Sequence, residues 1–497
     1  MTVEQVEVDV LVIGAGISGI GAACRLAQMH PELDVRILER RARVGGTWDL
    51  FRYPGIRSDS DMFTFGFDFA PWTQAKVLAD GPSIREYVEK TARDHGVDER
   101  IDFGVTVSLA SWSSVEQRWT LTADTDDGTT RAYVAKFVVG CTGYYDYDHG
   151  YRPDFPNESA FTGTIVHPQH WPEDLDYRGK RVAVIGSGAT AVTLVPSMAD
   201  EAAHITMIQR SPTYIVPLPA ENKVATAALR LLPEKPVFAG VRALATVGGR
   251  IGFSAMRTFP RTTKRLLTKV VAGRLRPEID IKHFTPSYKP WDQRMCVVPD
   301  GDLFKALNRG SASIVTGTID TFTPTGVTMT SGEHIDADVI VTATGLNVRF
   351  NGGIDVVVDG EPVVVPDRLT YKAVMLEGVP NAVFVFGYTN ASWTLKVGLA
   401  THYLSRLLTH MQRHGYGMVM PEATGARATD ETVFGSLTAG YVLRAAHLLP
   451  KQGDHGVWKV RHDYLADYAA LRLRPIADDA LVFTPATTAR TVARARG

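Results

Sequence analysis

Two stretches of the chain repeat the same pattern of apolar and small residues. In each stretch a short apolar run leads into closely spaced glycines, a segment of helical character follows, and a second apolar run closes the pattern. The apolar runs are residues 8–13 and 35–38 in the first stretch and residues 181–185 and 204–208 in the second. This order of strand, tight turn, helix and strand predicts an α/β fold with two Rossmann-like dinucleotide-binding domains.

The first turn has the glycine spacing of a dinucleotide-binding loop. Gly14 permits the tight turn, Gly16 lets backbone amides approach a pyrophosphate at the helix N-terminus, and Gly19 lets the helix pack closely on the strand. Glu39 follows 20 residues after Gly19, at the end of the next apolar run, where a carboxylate accepts hydrogen bonds from ribose hydroxyls. An acid at this position fits the unphosphorylated adenosine ribose of FAD or NAD.

The second turn carries Gly186, Gly188 and Ala191, but a different residue ends its next strand. Arg210, followed by Ser211, stands where the first stretch has its carboxylate. A guanidinium binds a 2′-phosphate that a carboxylate would repel, so this loop is expected to prefer NADPH over NADH. A solvated charge at the strand end is the alternative interpretation. The two loops together indicate FAD in the first domain, NADPH in the second, and hydride transfer between them.

Several other classes of protein are disfavoured by the residues that the chain lacks. Its three cysteines, Cys24, Cys141 and Cys296, form no C-x-x-C pair, so we expect them to pack rather than to do redox chemistry. Neither a zinc-ligand pattern nor a G-x-S-x-G elbow is present, and no metal site is expected. A net charge of -1 gives no electrostatic reason for nucleic-acid binding. Residues 1–10 are acidic and no apolar run could span a bilayer, so we expect a cytoplasmic protein.

A third motif lies between the two glycine loops. Phe161-x-Gly163-x-x-x-His167-x-x-x-Trp171-Pro172 resembles the fingerprint of type I Baeyer-Villiger flavin monooxygenases. Flavin-containing N- and S-oxidising relatives usually have another aromatic residue in place of Trp171. The resemblance extends over nearly the whole chain and is closest to the subgroup that includes the ethionamide-activating monooxygenases. The further matching segments are Gly45-Gly46-Thr47-Trp48, Tyr53-Pro54-Gly55 with Asp59, Cys141-Thr142-Gly143, Lys289-Pro290-Trp291-Asp292-Gln293-Arg294 and Ala343-Thr344-Gly345.

The resemblance implies a reaction and roles for individual residues. FAD, reduced by NADPH, would react with O2 to a C4a-peroxyflavin that converts a ketone to an ester or lactone, with sulfide or thioamide sulfur oxidised as well. Arg294 would supply a permanent positive charge, because arginine is not deprotonated in proteins, and Asp59 would hold and orient it. The apolar residues 295–298 after Arg294 suggest a buried strand rather than an ordinary surface charge. His167 and Trp171 would lie at the junction between domains.

The same resemblance implies further cofactor contacts. Gly46, Thr47, Trp48 and Asp59 are expected to bind a cofactor, as are Thr344 and Gly345 of the linker motif, whereas Ser211 and Gln293 are expected to contribute to the NADPH site. Many family members have a lysine at the position of Gln293. Discrimination against NADH is therefore expected to depend mainly on Arg210.

The order of the motifs predicts nested domains. The FAD domain comprises residues 1–145 and 346–497, and the NADPH domain comprises residues 156–215 and 289–345, separated by a largely helical insertion at 216–288. The insertion contains a basic segment, for which a helix with a core-facing apolar side is favoured over association with a membrane surface. Trp458 is either a residue that closes over the nicotinamide or an anchor of a surface loop.

Several alternatives stay open at this stage. Acyclic, cyclic and aryl ketones all remain candidate substrates, and the oligomeric state is undetermined. A flavin N- or S-monooxygenase without ketone oxidation is the main rival enzyme. A protein that binds FAD and NADPH only as a redox sensor is the alternative outside catalysis.

Overall fold

The computed structural model describes residues 5–487, so residues 1–4 and 488–497 of the predicted FAD domain lie outside it. The strands are β1 (Gln5–Ile13), β2 (Val35–Glu39), β3 (Ile101–Phe103), β4 (Val105–Ser113), β5 (Arg118–Thr125), β6 (Thr130–Gly140), β7 (Tyr145–Gly150), β8 (Thr164–Val166), β9 (Arg181–Ile185), β10 (His204–Gln209), β11 (Ile215–Leu218), β12 (Cys296–Pro299), β13 (Ala312–Thr316), β14 (Ile319–Thr323), β15 (Gly326–Met329), β16 (His334–Asp336), β17 (Val339–Thr342), β18 (Leu346–Val348), β19 (Asp355–Val358), β20 (Glu361–Pro362), β21 (Thr370–Tyr371), β22 (Met375–Leu376), β23 (Ala382–Phe384), β24 (Tyr416–Pro421), β25 (Ala428–Thr432), β26 (Lys451–Gly453) and β27 (Leu481–Pro485).

Helices pack on the two main sheets and form the insertion, and strands β14–β16 pack on one face of the second sheet. They are α1 (Ile17–Met29), α2 (Thr47–Leu50), α3 (Met62–Phe65), α4 (Gly81–Asp94), α5 (Ala189–Met198), α6 (Lys223–Leu231), α7 (Glu234–Thr258), α8 (Pro260–Ala272), α9 (Asp302–Arg309), α10 (Trp393–His414), α11 (Gly440–Ala445) and α12 (Tyr464–Tyr468).

The first sheet has the strand order β20-β19-β4-β5-β6-β1-β2-β3, and β23 also pairs with β6. Its parallel part joins β23, β6, β1, β2 and β3, with α1 crossing from β1 to β2. This arrangement is Rossmann-like and contains the first predicted strand-turn-helix unit. Strands β4, β5 and β6 form an antiparallel meander, and the hairpin turn between β5 and β6 contains Asp126-Asp127-Gly128.

The second sheet is entirely parallel, in the order β13-β10-β9-β17-β8. Strands β9 and β10 correspond to the two apolar runs of the second predicted unit, and α5 crosses between them. The predicted fold class, with two Rossmann-like units, is confirmed. Ligands of such sheets bind at the carboxyl ends of the strands, so both glycine loops lie at the edge where a dinucleotide is held.

The chain passes between the two sheets twice, through residues 141–150 and 343–348. These two segments, called the linkers below, run side by side. Strand β7 follows Cys141-Thr142-Gly143, strand β18 follows Ala343-Thr344-Gly345, and the two strands pair in antiparallel fashion. Leu346 lies opposite Gly150, and Val348 lies opposite Tyr145. A rotation of one sheet relative to the other must therefore deform both linkers together.

The segment that follows α2 packs on the second sheet, although its motif belongs to the first part of the predicted FAD domain. Leu50, Phe51 and Tyr53 join the apolar core formed by β9, α5 and β17. Gly55 has a φ of 74°, and a Cβ there would lie 1.8 Å from the Ser197 hydroxyl of α5. This segment therefore connects the two sheets, because it follows α2 of the first domain and packs on the core of the second sheet. We call it the bridge.

The insertion consists of α6, α7 and α8, as its helical pattern predicted. Val271 of α8 is buried, but Leu266 and Val270 are exposed. The prediction that the apolar side of the basic helix faces the core is therefore wrong for these two residues, because the helix offers only a narrow edge to the protein. Among residues 5–487, we find no helix whose length and hydrophobicity would let it cross a membrane.

Arg242 of α7 fastens the insertion to the rest of the molecule. Its Nη1 donates hydrogen bonds to the carbonyls of Phe63, Thr64 and Gly66, at 2.8, 3.2 and 2.7 Å. Burial lowers the pKa of this guanidinium, yet arginine remains charged at neutral pH. The three carbonyls therefore depend on Arg242 for a strong donor.

We expect Arg242→Met to lower the free energy of unfolding by about 2–3 kcal/mol, because buried carbonyls lose a charged hydrogen-bond donor. Urea unfolding followed by tryptophan fluorescence measures this change. Arg230→Met, at an exposed position of α6, is the matched control and should change the unfolding free energy little. Equal stability of the two variants would contradict the role given to Arg242.

Candidate active site

The first glycine loop is closed by the end of β6. Gly14 has a φ of 102°, and a Cβ there would lie 2.7 Å from the Cys141 carbonyl oxygen. A Cβ at Gly19 would lie 1.8 Å from the Gly14 carbonyl oxygen, so α1 approaches the loop more closely than any side chain allows. Gly16 stands at the N-cap of α1 without a side-chain cap, which leaves amides of the first helical turn available to an anion.

A second glycine pair lies against this loop. The Gly45 amide donates to the Ala15 carbonyl at 3.1 Å, and a Cβ at Gly46 would lie 3.0 Å from the Gly16 Cα. Thr47 and Trp48, the first residues of α2, follow directly, and Thr47 Oγ1 is 3.3 Å from the Tyr147 hydroxyl of β7. The predicted residues of the first cofactor site are thus gathered around one loop.

Glu39 ends β2 beside the same loop and is 4% exposed. Its carboxylate accepts hydrogen bonds from the amides of Ala15 and Arg41, at 2.7 and 2.8 Å. Burial raises the pKa of Glu39, although both amide bonds favour the ionised form. The carboxylate is therefore fixed at the edge of the loop, with lone pairs left for a further donor.

The second glycine loop is packed against the linker of the second sheet. Gly186 has a φ of 147°, and a Cβ there would lie 2.2 Å from the Ala343 carbonyl oxygen. Around a Cβ at Gly188, by contrast, the described residues leave open space, and Gly188 caps α5 without a side-chain hydrogen bond. Ala191 is fully buried at the third position of the motif. The loop therefore presents helix amides toward an open side.

Arg210 lies exposed just after β10, and Ser211 follows it beside the loop, where the Ser211 carbonyl accepts from the Ser187 hydroxyl at 3.1 Å. A second arginine reaches this edge from α11. The guanidinium of Arg444 stacks 3.4 Å from the centre of the Tyr151 ring, and its Nη2 donates to the Leu346 carbonyl at 3.4 Å. Burial and the nearby charge of Arg210 lower the pKa of Arg444. Two cations at the same edge favour an anion there.

The fingerprint residues contact the linkers and the apolar core of the second sheet. His167 Nε2 donates to the Gly345 carbonyl at 3.2 Å, and its Nδ1 accepts from the Gln169 amide at 3.2 Å. Burial lowers the pKa of His167, which agrees with a neutral ring that both donates and accepts. A Cβ at Gly150 would lie within 2.6 Å of three ring atoms of His167. The histidine is thus held by both linkers.

The remaining fingerprint residues support this junction. Phe161 is buried, and a Cβ at Gly163 would lie 2.4 Å from the Asp338 carbonyl oxygen. Trp171 is partly buried against the core of the second sheet, with Pro172 directly after it. On the linker itself, the Thr344 hydroxyl donates to the Tyr151 carbonyl at 2.6 Å. These side chains hold the linkers rather than facing a reacting group.

Arg294 and Asp59 meet across the gap between the two sheets. Arg294 Nη2 is 3.5 Å from Asp59 Oδ2, and each side chain is 34% exposed. The Asp59 carboxylate raises the pKa of Arg294. The strand β12 begins only at Cys296, so Arg294 lies in the preceding turn. The buried strand expected after Arg294 is confirmed as β12, in which Cys296 and Val298 are buried, and Arg294 itself precedes the strand and is partly exposed.

This turn is tied to the second glycine loop and to the insertion. The Cys296 thiol donates to the Ser187 carbonyl at 3.8 Å, and burial raises the pKa of Cys296 to about 12. Asp292 pairs with Arg257 of α7 at 2.7 Å, and the backbone of Gln293 bridges to Pro290. All three cysteines are buried and unpaired within residues 5–487, as expected for packing residues.

Tyrosines that the motifs did not predict surround Arg294. Tyr144 and Tyr145 follow the first linker motif, Tyr441 belongs to α11, and burial raises the pKa of each. Tyr144 stacks on Trp393 with ring centres 5.0 Å apart, and Trp393 Nε1 donates to the Ser18 hydroxyl at 2.8 Å. Their position directly after Gly143 was a signal for Tyr144 and Tyr145. No pattern pointed to Tyr441 or to Arg444.

Trp458 belongs to the core and not to this cleft. It is 4% exposed and contacts the Tyr371 ring edge-on, with ring centres 5.6 Å apart. A Cβ at Gly453 would lie 2.6 Å from the Trp458 Cβ. Of the two interpretations of Trp458, the anchor of a surface segment agrees with this packing.

Comparison with known proteins identifies relatives along almost the whole chain. A family model for flavin-binding monooxygenase-like proteins matches residues 7–226. The putative FAD-containing monooxygenase MymA of Mycobacterium tuberculosis is 51% identical over 96% of this chain and 98% of its own length. The FAD-containing monooxygenase EthA of the same organism is 47% identical over 96% of this chain and 97% of its own length.

The fold also matches a solved structure. Oxidised steroid monooxygenase bound to NADP superposes with a TM-score of 0.76, covering 96% of this chain and 100% of that chain. The two sequences are 22% identical, so this likeness shows the fold alone.

Proposed function

Because this chain belongs to the FAD-containing, flavin-binding monooxygenases, we propose that it inserts one oxygen atom of O2 beside the carbonyl of a ketone, giving an ester or lactone. The family and its cofactors, FAD and NADP(H), agree with the motif resemblance. Sulfides and thioamides are proposed as further substrates. The pair of Arg294 and Asp59, held at 3.5 Å in a tyrosine-lined cleft between the two loops, carries the proposal.

The residues present fit two bound dinucleotides. In the first loop, the backbone around Gly14 and Gly19 approaches so closely that a Cβ would clash, and Glu39 lies beside the uncapped helix amides at Gly16. In the second loop, the space around Gly188 is open and Arg210 lies at its edge. We therefore propose FAD at the first loop and NADPH at the second.

The proposed reaction balances with these partners. NADPH supplies an electron pair, one oxygen atom of O2 enters the bond between carbonyl carbon and substituent, and the other oxygen atom leaves as water. When bound, FAD accepts the hydride and activates O2.

Arg294 has the task of stabilising negative charge on the reacting oxygen atoms. A guanidinium keeps its proton throughout, so it provides positive charge without taking part in proton transfer. Asp59 orients this guanidinium and lies within a bridge that packs on the second sheet, so its position depends on both sheets. Asp59 is thus a positioning residue that acts through Arg294.

We propose that the aromatic side chains packed around Tyr144 limit the access of water to the reaction once the cofactors are bound. Tyr144, Phe386, Phe434 and Trp393 form contacting ring pairs, with centres 4.8 to 5.9 Å apart. In a dry cleft a fixed charge acts more strongly on developing negative charge than it would in water. The same wall suits an apolar ketone or sulfide.

Product identification tests the proposal directly. The holoenzyme is incubated with NADPH, O2 and phenylacetone, and in a parallel reaction with methyl phenyl sulfide. Formation of benzyl acetate together with faster NADPH consumption is the expected result. Sulfoxide without any ester would establish the rival N- or S-monooxygenase. NADPH consumption that no ketone, amine or sulfide changes would favour a redox sensor.

Arg210→Ala is expected to raise the KM for NADPH by about tenfold or more and to leave that for NADH nearly unchanged. The reason is the loss of a charge-assisted hydrogen bond to the 2′-phosphate, worth about 1.5–3 kcal/mol. Steady-state kinetics with both nucleotides, and titration of NADP into the oxidised enzyme followed by flavin absorbance, measure the effect. Equal changes for NADPH and NADH would disprove the assignment.

Substitution of Arg444 is compared with that of Arg210 for its effect on NADP binding. Because its guanidinium lies at the Gly345 linker near Arg210, Arg444→Ala is also expected to weaken NADP binding in the absorbance titration. Arg349→Ala, another exposed arginine paired with Asp148, is the matched control and should leave the affinity for NADP unchanged.

A further inference from the structure

The insertion exposes an apolar stripe on α7. Leu244, Val247 and Ile251 are 76%, 43% and 60% exposed and follow one another at intervals of three and four residues. The side of the helix that faces the protein carries Phe238, which is buried, and Val241, Ala245 and Phe253, which are partly buried. The exposed residues therefore form one continuous face that no described part of the chain covers.

The two helices packed against α7 carry further exposed apolar residues. Val224 and Leu231 of α6 are exposed, as are Leu266 and Val270 of α8. Each pair lies on one side of its helix, at intervals of seven and four residues. About half of the exposed large apolar side chains within residues 5–487 lie between 224 and 270. We call the following residues the insertion face: Val224, Leu231, Leu244, Val247, Ile251, Leu266 and Val270.

Positive charge accompanies the insertion face. The segment from Lys223 to Arg276 contains 12 basic residues and one acid, Glu234, in a chain whose net charge is -1. Arg250 and Arg257 pair with carboxylates elsewhere, and Arg242 binds carbonyls. Within the described part of the chain, we find no ion pair for the basic residues Lys223, Arg230, Lys235, Arg261, Arg265, Lys269, Arg274 and Arg276.

On α8 the apolar and basic side chains alternate closely. Arg265 precedes Leu266, Lys269 precedes Val270, and all four are exposed. A partner for such a surface must accept apolar side chains and also present negative charge around them. A second copy of the same face would bring like charges together, and a polyanion alone would leave the apolar residues in water.

We propose that the insertion face binds the surface of an anionic phospholipid bilayer. Its apolar side chains enter the boundary between headgroups and acyl chains, while the arginines and lysines contact the lipid phosphates. Both contributions are needed, because surface cations alone bind weakly at physiological salt and exposed apolar side chains alone give no preference for anionic lipid. The proposal does not depend on the substrate of the enzyme.

Flotation of the purified holoenzyme with vesicles tests the proposal. One set of vesicles contains phosphatidylcholine and phosphatidylglycerol, and the other contains phosphatidylcholine alone. We expect the protein to float with the anionic vesicles, to float much less with the neutral ones, and to be partly released by high salt.

Two double variants test the two contributions separately. Leu244→Asp with Ile251→Asp disrupts the apolar stripe, and Arg265→Glu with Lys269→Glu reverses the charge on α8. Each is expected to weaken binding to anionic vesicles at least about tenfold. The matched controls Leu473→Asp and Arg413→Glu change exposed residues outside the insertion and should bind as the unchanged protein does. Unchanged flavin content and melting temperature establish that all variants are folded.

Three results would overturn the proposal. The first is equal flotation with both kinds of vesicle, or none with either. The second is equal loss of binding in the controls. The third combines two observations: the unchanged protein does not bind vesicles, and light scattering without lipid shows that it is a dimer. In this case the Leu244→Asp, Ile251→Asp double variant would be a monomer.

Discussion

Arg294→Ala is expected to reduce ester formation by about a hundred- to a thousandfold, while the enzyme still oxidises NADPH at a measurable rate. The reason is that a fixed charge beside developing negative charge contributes about 3–4 kcal/mol when water is excluded. The substitution leaves untouched Arg210 and Gly188, which are the residues proposed to bind NADPH. Stopped-flow flavin reduction and chromatographic measurement of ester separate the two steps.

Asp59→Ala should weaken the same oxygen-transfer step to a smaller degree, since Arg294 loses its orienting partner but keeps its charge. Arg57→Ala is the matched control: Arg57 pairs with Asp302 at 2.5 Å and also joins the bridge to the second sheet, away from Arg294. It should cost some stability and leave the ratio of ester to NADPH consumed unchanged. Ester formation by Arg294→Ala at the normal rate would show that the catalytic role is wrong.

Gly19→Ala is expected to cause the largest loss of FAD and of stability. A Cβ at this position would lie 1.8 Å from the Gly14 carbonyl oxygen, and 2.9 Å from its carbon. Both atoms are backbone, so α1 can relieve the clash only by moving away from the loop that holds FAD. We expect a loss of about 3 kcal/mol or more in unfolding free energy, together with mostly flavin-free protein.

The flavin content of the purified protein and urea unfolding measure both effects. Gly248→Ala is the matched control, because this glycine also lies in a helix but has open space around a Cβ. Alanine should stabilise the helix there by about 0.5–1 kcal/mol and leave the flavin content unchanged. A Gly19→Ala variant with full flavin content and normal stability would refute the close approach of α1.

The motifs predicted the site well where function requires a particular backbone. Gly14 and Gly186 have positive φ angles that other residues adopt only with strain, so the spacing of these glycines was enough to identify both loops. Glu39 and Arg210 were predicted from their place after a strand, since strand ends of a parallel sheet meet at one edge. These signals are local, and each depends on residues close in sequence.

The sequence did not predict those features of the site that depend on contacts between residues distant in the chain. The apolar residues after Arg294 correctly predicted the buried strand β12, but nothing near them in sequence indicated that Arg294 meets Asp59. Trp458 could have been a mobile closing residue, and only its packing on Tyr371 excludes this. Tyr441 and Arg444 are far from every motif, and α11 brings them to the site through contacts across the whole chain.

The sequence by itself determined the α/β class, the two dinucleotide loops and the family, because these depend on hydrophobic periodicity and on glycines with strict local geometry. The tertiary structure decided which charges meet and which apolar residues stay in solvent. Arg294 reaches Asp59 although the two residues are 235 positions apart in the chain, and Leu244 remains exposed because no other described element packs on α7 there. Such pairings follow from long-range packing, which no local pattern of residues encodes.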